Sequence, residues 1–430
     1  MDFAQSLGYL DALILHGVKV GLDHTRCLAG LMGLPQQRIP SVLIAGTNGK
    51  GSTAAFLEAV LRASGLRTGL FTSPHLVDVR ERVRVEGRLI DEGAFAEGMA
   101  RVRGAAEAAL REGSLETAPT YFEALTLLAL DHFAREGVQA AVLEVGLGGR
   151  LDCTNIVEPE ISLITNIGLD HQEFLGADLP SIAREKAGIL RRGRPALTGA
   201  SDPDSLRVLV DEAARIGADL EPLAPEQLAR VGAGWRLDTH DATLALPEPS
   251  LAGRHQLANA SLAALCAWRL KGLGWPVTEE SIRAGLAHAR WPGRLETISE
   301  RPLVILDGAH NRDGCAALAA YVRDLPQTPR ALVFAAMRDK PVEEMAALLV
   351  PQFQAVWATQ VPMARCCPAA KTAERLGVAA VAEDPVAAIE AARERVGPEG
   401  LVVVAGSLYL VGHVKAALGG VPARSWGSGL

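Results

Sequence analysis

The sequence predicts an α/β protein built from two doubly wound units. Three observations carry that expectation. Short apolar runs alternate with longer helix-patterned stretches along almost the whole chain, which is how parallel strands covered by helices on both faces read. A glycine-rich segment, Gly46 to Ser52, follows the first such run. A Trp-Pro-Gly-Arg break at Trp291 to Arg294 interrupts the pattern before it resumes. The expected architecture is a P-loop-containing, doubly wound parallel-sheet domain over residues 1–290 and a smaller, Rossmann-like C-terminal α/β domain over residues 291–430. A chain of 430 residues suits two or three domains of about 150 residues.

Each element follows from its own pattern. Ser41 to Ala45 is a continuous apolar strand. Thr53 to Ser64 puts Ala54, Phe56, Leu57, Val60 and Leu61 on one helical face, and Ser64-Gly65 stops it. Gly69 to Thr72, Ala140 to Val145 and Ile161 to Thr165 read as further strands, and Phe122 to Phe133 and Leu179 to Leu190 as helices. From Ser201 to Gly253 the chain is richer in proline and carries alternating pieces such as Trp235 to Thr239. That stretch reads as a helix followed by a small antiparallel excursion, after which a helix over Asn259 to Lys271 resumes the α/β pattern. Beyond Arg294, five strand-like runs follow: Leu303 to Leu306, Ala331 to Ala336, Ala355 to Thr359, Val378 to Val381 and Leu401 to Ala405. The tail from Gly419 is rich in Gly, Pro and Ser and is expected to be mobile.

Composition narrows the function. Lys and Arg total 43 against 50 Asp and Glu, a net charge of −7. Such a chain has no global field for gripping a nucleic-acid backbone, although a local site can still be positive. No basic segment precedes an apolar core near the start, and the longest apolar stretches run to about a dozen residues where a membrane-spanning helix needs about 20. The expectation is a cytoplasmic protein. The six cysteines show no CxxC spacing and are expected to be reduced and structural. The adjacent Cys366 and Cys367 read as two small buried side chains, with a redox pair as the alternative.

Gly46, Thr47, Asn48, Gly49, Lys50, Gly51 and Ser52 lie between a strand and a helix. Glycines let the backbone amides turn inward, and the helix N-terminus adds positive potential, so phosphate is favoured there. Lys50 can reach the β- and γ-phosphates. Against the usual G-x-x-x-x-G-K-[ST] pattern, Ile44 replaces the first glycine, and Gly51 separates Lys50 from Ser52. The hydroxyl that ordinarily binds magnesium after the lysine is therefore missing. Ser73, Glu144 and His171 each follow a strand, and strand carboxyl ends share one edge of an open sheet. Together they could complete a magnesium shell, although an imidazole is an unusual ligand for that ion. The alternative for His171 is a loop imidazole bonded to backbone. Lys186 reads by default as a solvated helical lysine, and Asp307 to Asn311 as a polar turn.

Taken in order, these segments make the chain resemble the Mur ligase superfamily and, within it, the bacterial folylpolyglutamate synthase/dihydrofolate synthase family. The likeness runs from about Leu7 to His413. It includes the Gly46 to Ser52 loop, Phe71 to His75, Glu144 to Asp152, Asn166 to His171, Glu185 to Gly188, Gly253 to Asn259, Asp307 to Asn311 and Gly406 to Tyr409. The resemblance implies that Lys50 holds phosphates and that Ser73, Glu144 and His171 hold magnesium. It implies a CO2-derived carbamate on Lys186 that binds a second magnesium ion. Asn259, Arg294 and Asp307 would contact ATP, with His310 against the adenine. Thr120, Phe122 and Asp152 match positions that contact a pterin, with Phe122 as a core aromatic at a helix start the alternative. The implied reaction joins L-glutamate to dihydropteroate, to a reduced folate or to both, through an acyl phosphate, in an enzyme that leans monomeric. The rivals are another Mur-type amino-acid ligase and a nucleotide-dependent switch. The chain lacks the N-K-x-D motif expected of a GTP switch.

Overall fold

A computed structural model describes residues 1–14 and 21–420. Residues 15–20, with the first lysine of the chain, Lys19, lie outside the described residues, as does the tail beyond Gly420, which the sequence leads one to expect mobile.

The first unit is organised by an eight-stranded sheet. Its strands are β1 (Ser41–Ala45), β2 (Thr68–Phe71), β3 (Val83–Val85), β4 (Arg88–Leu89), β5 (Ala140–Glu144), β6 (Ile161–Ile164), β7 (Pro195–Thr198) and β8 (Asp219–Pro222). The spatial order is β4-β3-β2-β5-β1-β6-β7-β8. Strands β2, β5, β1, β6, β7 and β8 pair in parallel, whereas β3 and β4 add an antiparallel edge. The sheet is therefore mixed rather than wholly parallel.

Successive side chains of β1 serve opposite faces, as the period of a strand requires. Leu43 and Ala45 join one core with α1 (Phe3–Leu13), α2 (Asp23–Leu31), α4 (Glu92–Arg111), α5 (Tyr121–Arg135), α7 (Leu179–Ala187) and α8 (Pro203–Ile216). Val42 and Ile44 join the other, covered by α3 (Lys50–Ala63), α9 (His255–Gly272) and α10 (Glu279–His288). Between β6 and α7 sits one further short helix, α6 (Gln172–Leu175). Burial on both faces explains why β1 and β5 read as unbroken apolar runs.

The excursion is a three-stranded antiparallel sheet of β9 (Leu228–Val231), β10 (Gly234–Asp238) and β11 (Thr243–Leu246), as the alternation predicts. Its Leu237, Leu244 and Leu246 pack into the second core.

The C-terminal unit holds β12 (Glu296–Glu300), β13 (Leu303–Leu306), β14 (Arg330–Phe334), β15 (Ala355–Ala358), β16 (Ala380–Val381) and β17 (Leu401–Ala405), in the order β12-β13-β17-β14-β15-β16. All neighbours pair in parallel except β12 with β13. Helices α11 (Arg312–Asp324), α12 (Val342–Leu349), α13 (Ala369–Leu376), α14 (Pro385–Val396) and α15 (Leu408–Leu418) complete it. Leu76, from the first unit, is buried in a core of the second.

Five strands escaped the sequence reading: β3, β4, β7, β8 and β12. They are short, edge-lying or polar. β12 reads Glu-Thr-Ile-Ser-Glu and stays largely exposed, and β8 is an edge strand with no fully buried residue. Without two covered faces, no apolar run marks the edge strands, and the interior β7 (Pro-Ala-Leu-Thr), although covered on both faces, is too short and too proline- and threonine-rich to stand out.

Candidate active site

The carboxyl ends of β1, β2, β5 and β6 converge on one edge, and the loop after β1 is built there before any ligand arrives. Asn166, just past β6, accepts the Thr47 amide on its carbonyl (3.1 Å) and the Asn48 amide on its side chain (2.7 Å). Thr165 donates to the Asn48 carbonyl (2.6 Å), and the Thr47 hydroxyl bridges the carbonyl and amide of Gly168. Gly49 has φ +82°, and a Cβ there would meet the Asn259 side chain at 2.4 Å, so glycine is required on both counts. Gly51 lies against the Trp291 indole. Lys50 opens α3 and folds back over the loop, donating from Nζ to the Gly46 and Thr47 carbonyls at 3.1 and 3.2 Å.

Lys186 overturns its default reading as a solvated lysine. It is 3% exposed, and its Nζ donates to the same Gly46 carbonyl at 2.9 Å. The pattern of α7 hid this, because the tight loop after β1 packs over that face. Burial, followed by the charge of Lys50, pulls its pKa down to about 7. The amine is thus poised between charged and neutral near neutral pH.

Glu144 ends β5 and is buried. Burial pushes its carboxyl up, and Lys50, the Ser73 amide (3.1 Å) and Arg294 draw it back. His171 sits at φ +51° before α6. Burial holds its imidazole down to about 4, so the ring is neutral at pH 7 and available as a ligand. Ser73, Glu144 and His171 all line one cleft of about 330 Å3, together with Lys50, Lys186 and the glycine loop. That volume is ordinary for a small-molecule site. Among the described residues no group of three or more His, Cys, Asp or Glu forms a metal cage. A serine hydroxyl and a buried, incompletely bonded carboxylate fit a hard cation that keeps water or phosphate oxygens as its other ligands.

The second unit closes this cleft with Asn311, Arg294, Asp307 and His310. Both Asp307 oxygens accept backbone amides, from Leu295 and from Ala309, each at 2.9 Å. Arg294 donates to the Gly293 carbonyl at 3.2 Å. The His310 Nδ1 lies 2.8 Å from the Gly308 carbonyl, and its Nε2 lies 3.6 Å from Asp170. Asn259, Arg294, Asp307 and His310 all line the cleft.

Thr120, Phe122 and Asp152 do not line it. Thr120 caps α5, its hydroxyl and amide engaged by Glu123 in a reciprocal pair. The Phe122 ring lies 5.7 Å from that of Phe71 and, with Asp152, crowds Gly146. The Asp152 carboxylate accepts from the Leu147 amide (2.9 Å) and from the amide and hydroxyl of Thr154 (3.0 and 2.5 Å). Phe122 and Asp152 thus meet at Gly146, and Gly146 and Leu147 do line the cleft.

Comparison with known proteins now decides the family. Residues 44–267 match the Mur ligase middle domain and residues 293–408 the Mur ligase glutamate ligase domain. The dihydrofolate synthase/folylpolyglutamate synthase of Bacillus subtilis is 34% identical over 427 residues, covering 97% of this chain and 99% of that protein. The chain belongs to the folylpolyglutamate synthase/dihydrofolate synthase family of Mur ligases. Within the family, Escherichia coli FolC in complex with DHPP and ADP is 35% identical, with a TM-score of 0.89 and 98% of each chain covered. The Yersinia pestis bifunctional enzyme complexed with AMPPNP and Mn ion is 34% identical, with a TM-score of 0.86, covering 97% of this chain and 98% of that one. A probable bifunctional folylpolyglutamate synthase/dihydropteroate synthase of Halobacterium salinarum is 38% identical across 96% of this chain. The chain spans about half (51%) of that relative's length.

Three residues at or beside this family member's cleft went unassigned in the sequence: Asp170, which lines it, and its partners Asn311 and Lys340. Asp170 accepts Lys340 Nζ at 2.6 Å and Asn311 Nδ2 at 3.0 Å. Asn311 also donates to Asn48 of the loop at 2.9 Å. Burial alone would raise the Asp170 carboxyl, but His310 and Lys340 outweigh it and hold it well below the usual carboxylate range. Asp170 and Asn311 stood inside quoted motifs. Lys340 carried no signal, because its partner lies in the other unit. All six cysteines are free, as expected. Among the described residues no helix is long and apolar enough to cross a membrane.

Proposed function

We propose that this protein is an ATP-dependent carboxylate–amine ligase that adds L-glutamate to dihydropteroate, to reduced folate (poly)glutamates or to both. The observation that carries the reading is the convergence of Lys50 and Lys186 on the Gly46 carbonyl, in a cleft that the second unit closes with Arg294 and Asp307. The relatives support it: one binds DHPP and ADP, another AMPPNP and a manganese ion.

A carboxylate is a poor electrophile at neutral pH. Transfer of the γ-phosphoryl group makes an acyl phosphate with a good leaving group, and the glutamate amine attacks it. Three anions must share the cleft. Lys50 offsets their repulsion and stabilises charge on the transferring phosphoryl group. Ser73, Glu144 and His171 would hold one magnesium ion, and a carbamate formed on Lys186 a second. Bound there, magnesium supplies positive charge to the phosphate oxygens. The neutral fraction of Lys186 is the form that adds CO2. Closure of the two units excludes water that would hydrolyse the intermediate. Asn259, Arg294, Asp307 and His310 contact the nucleotide, and Thr120, Phe122 and Asp152 form the pterin end beside Gly146. We place the division between the units at residues 290 and 291 and read the enzyme as a cytoplasmic monomer acting on small molecules, not nucleic acid.

The test is an endpoint assay with ATP, magnesium and L-glutamate, with dihydropteroate in one tube and a reduced folate monoglutamate in another, and products weighed by mass spectrometry. A gain of one glutamate in both establishes the bifunctional enzyme, and a gain in one assigns a single activity. No gain in either, with ATP hydrolysis intact, rejects the folate acceptor in favour of another Mur-type ligase.

A further inference from the structure

A second, smaller pocket adjoins the main cleft across a wall made of Gly51, Ser73 and Glu144. Its outer side is Arg84 of β3, with Trp291 and Arg294 from the segment that joins the two units. None of the roles assigned above uses Arg84. An arginine on a short edge-side strand ordinarily extends into solvent. This one is tucked in, its guanidinium 5.7 Å from the centre of the Trp291 ring. Its guanidinium makes one long bond, from Nε to the Glu81 carbonyl (3.3 Å). Among the described residues it forms no ion pair.

The obvious counter-ion is committed elsewhere. The Glu81 carboxylate also lines this pocket but accepts the amides of Leu76, Val77 and Asp78 at 2.9, 2.8 and 2.9 Å. The Glu144 carboxylate in the dividing wall is drawn on by Lys50 and Arg294. A guanidinium stays protonated when it is partly desolvated, so Arg84 is a half-buried cation that the charges of Glu81 and Glu58 favour from a distance but that no carboxylate grips directly among the described residues. That arrangement costs free energy unless an anion completes it. Arg294 lines both pockets, so a cation stands at the passage between them.

We propose that this pocket receives the inorganic phosphate released by the reaction, with Arg84 as its binding cation. The proposal rests on the ligase reading above. In the second half-reaction the glutamate nitrogen bonds to the acyl carbon and releases a proton to solvent. The carbon–oxygen bond to phosphate breaks, and its electron pair leaves with the phosphate. ADP still occupies the loop and the new amide fills the acceptor end, so the phosphate forms between two products. The pocket beyond Ser73 and Glu144 offers it a lateral place, where a planar guanidinium can grip two oxygens of a tetrahedral anion.

The experiment titrates inorganic phosphate into the ADP-saturated, magnesium-containing protein by calorimetry, for the wild type, Arg84→Gln and Arg84→Lys, with circular dichroism to confirm folding. Phosphate should bind the wild type and bind Arg84→Gln about tenfold or more weakly, the worth of one charge-assisted contact. Arg84→Lys, which keeps the charge, should lie between them, and ADP affinity should be equal in all three. Phosphate affinity that is absent in the wild type, or equal in wild type and folded Arg84→Gln, overturns the proposal. Should Arg84→Gln not fold, wild-type affinity in Arg84→Lys together with no phosphate-dependent change in Trp291 contacts by NMR does the same. Failure of ADP itself to bind would instead reject the nucleotide reading.

Discussion

Lys340 of the C-terminal unit donates to Asp170 of the first unit at 2.6 Å, and both side chains are at least nine-tenths buried. The pair ties the loop after β14 to the loop after β6, one residue before His171. Removing one partner of a buried pair leaves the other charge uncompensated, which costs about 3–5 kcal/mol. Lys340→Ala should lower the thermal midpoint accordingly, and the double variant with Asp170→Asn should recover much of the loss. If Lys340→Ala melts with the wild type, the pair does not hold the units together.

Two glycines with the same backbone angle separate loop strain from site crowding. Gly49 and Gly65 both have φ +82°, but a Cβ at Gly49 strikes Asn259 whereas Gly65 faces open space. Gly65→Ala should cost stability of roughly 1 kcal/mol, the left-handed penalty alone, with ATP affinity unchanged. Gly49→Ala should weaken ATP binding by about tenfold or more, because Asn259 and the loop must both shift. Equilibrium dialysis with labelled ATP on both variants gives the comparison.

The pH dependence of Lys186 has a definite sign. Its folded pKa is about 7 against an ordinary 10.5. Between those values the unfolded chain binds more protons, so the stability carried by this group rises with pH across the window and is lowest below pH 7. Lys186→Met should therefore be inactive, yet more stable than the wild type at pH 6 by up to a few kcal/mol. That advantage should shrink as pH rises towards 10. In 13C NMR with labelled bicarbonate, a carbamate signal should grow from pH 6 to pH 8 in the wild type and be missing from Lys186→Met.

Gly146 is the point where Phe122 and Asp152, the proposed acceptor end, meet the cleft. A Cβ there would lie 2.6 Å from the Phe122 ring and 3.2 Å from Asp152. Gly146→Ala should raise the KM for the pterin-bearing acceptor by about tenfold, since a ring displaced by an ångström loses its stacking contact, and leave the KM for ATP near the wild-type value. Equal changes in both KM values would place Phe122 outside the acceptor site.

Much of this site was legible in the letters, because its parts are local. The Gly46 to Ser52 loop, the strand-terminal Ser73, Glu144 and His171, and the Asp307 turn each announce themselves within a few residues of chain. The four central strands of the first sheet were readable for a similar reason: covered on both faces, they must be apolar throughout. The edge strands were not readable, since a strand with one exposed side or two residues of length carries no such mark. Thr120 shows a further limit. Only the family resemblance singles it out as a pterin contact, and the structure adds that its hydroxyl caps α5.

The amino-acid order alone determined the α/β class, the two-unit organisation, the phosphate loop and the residues flanking it, since these depend on periodicity and on glycine placed beside a helix start. Tertiary structure decided the rest. It turned Lys186 from a surface lysine into a buried amine at the Gly46 carbonyl, joined Asp170 to Lys340 and Asn48 to Asn311 across the two units, and tucked Arg84 against Trp291. Each of these is set by which distant segment packs against the residue. Burial and charge pairing then fix protonation and chemistry, and neither quantity is written in the neighbouring letters.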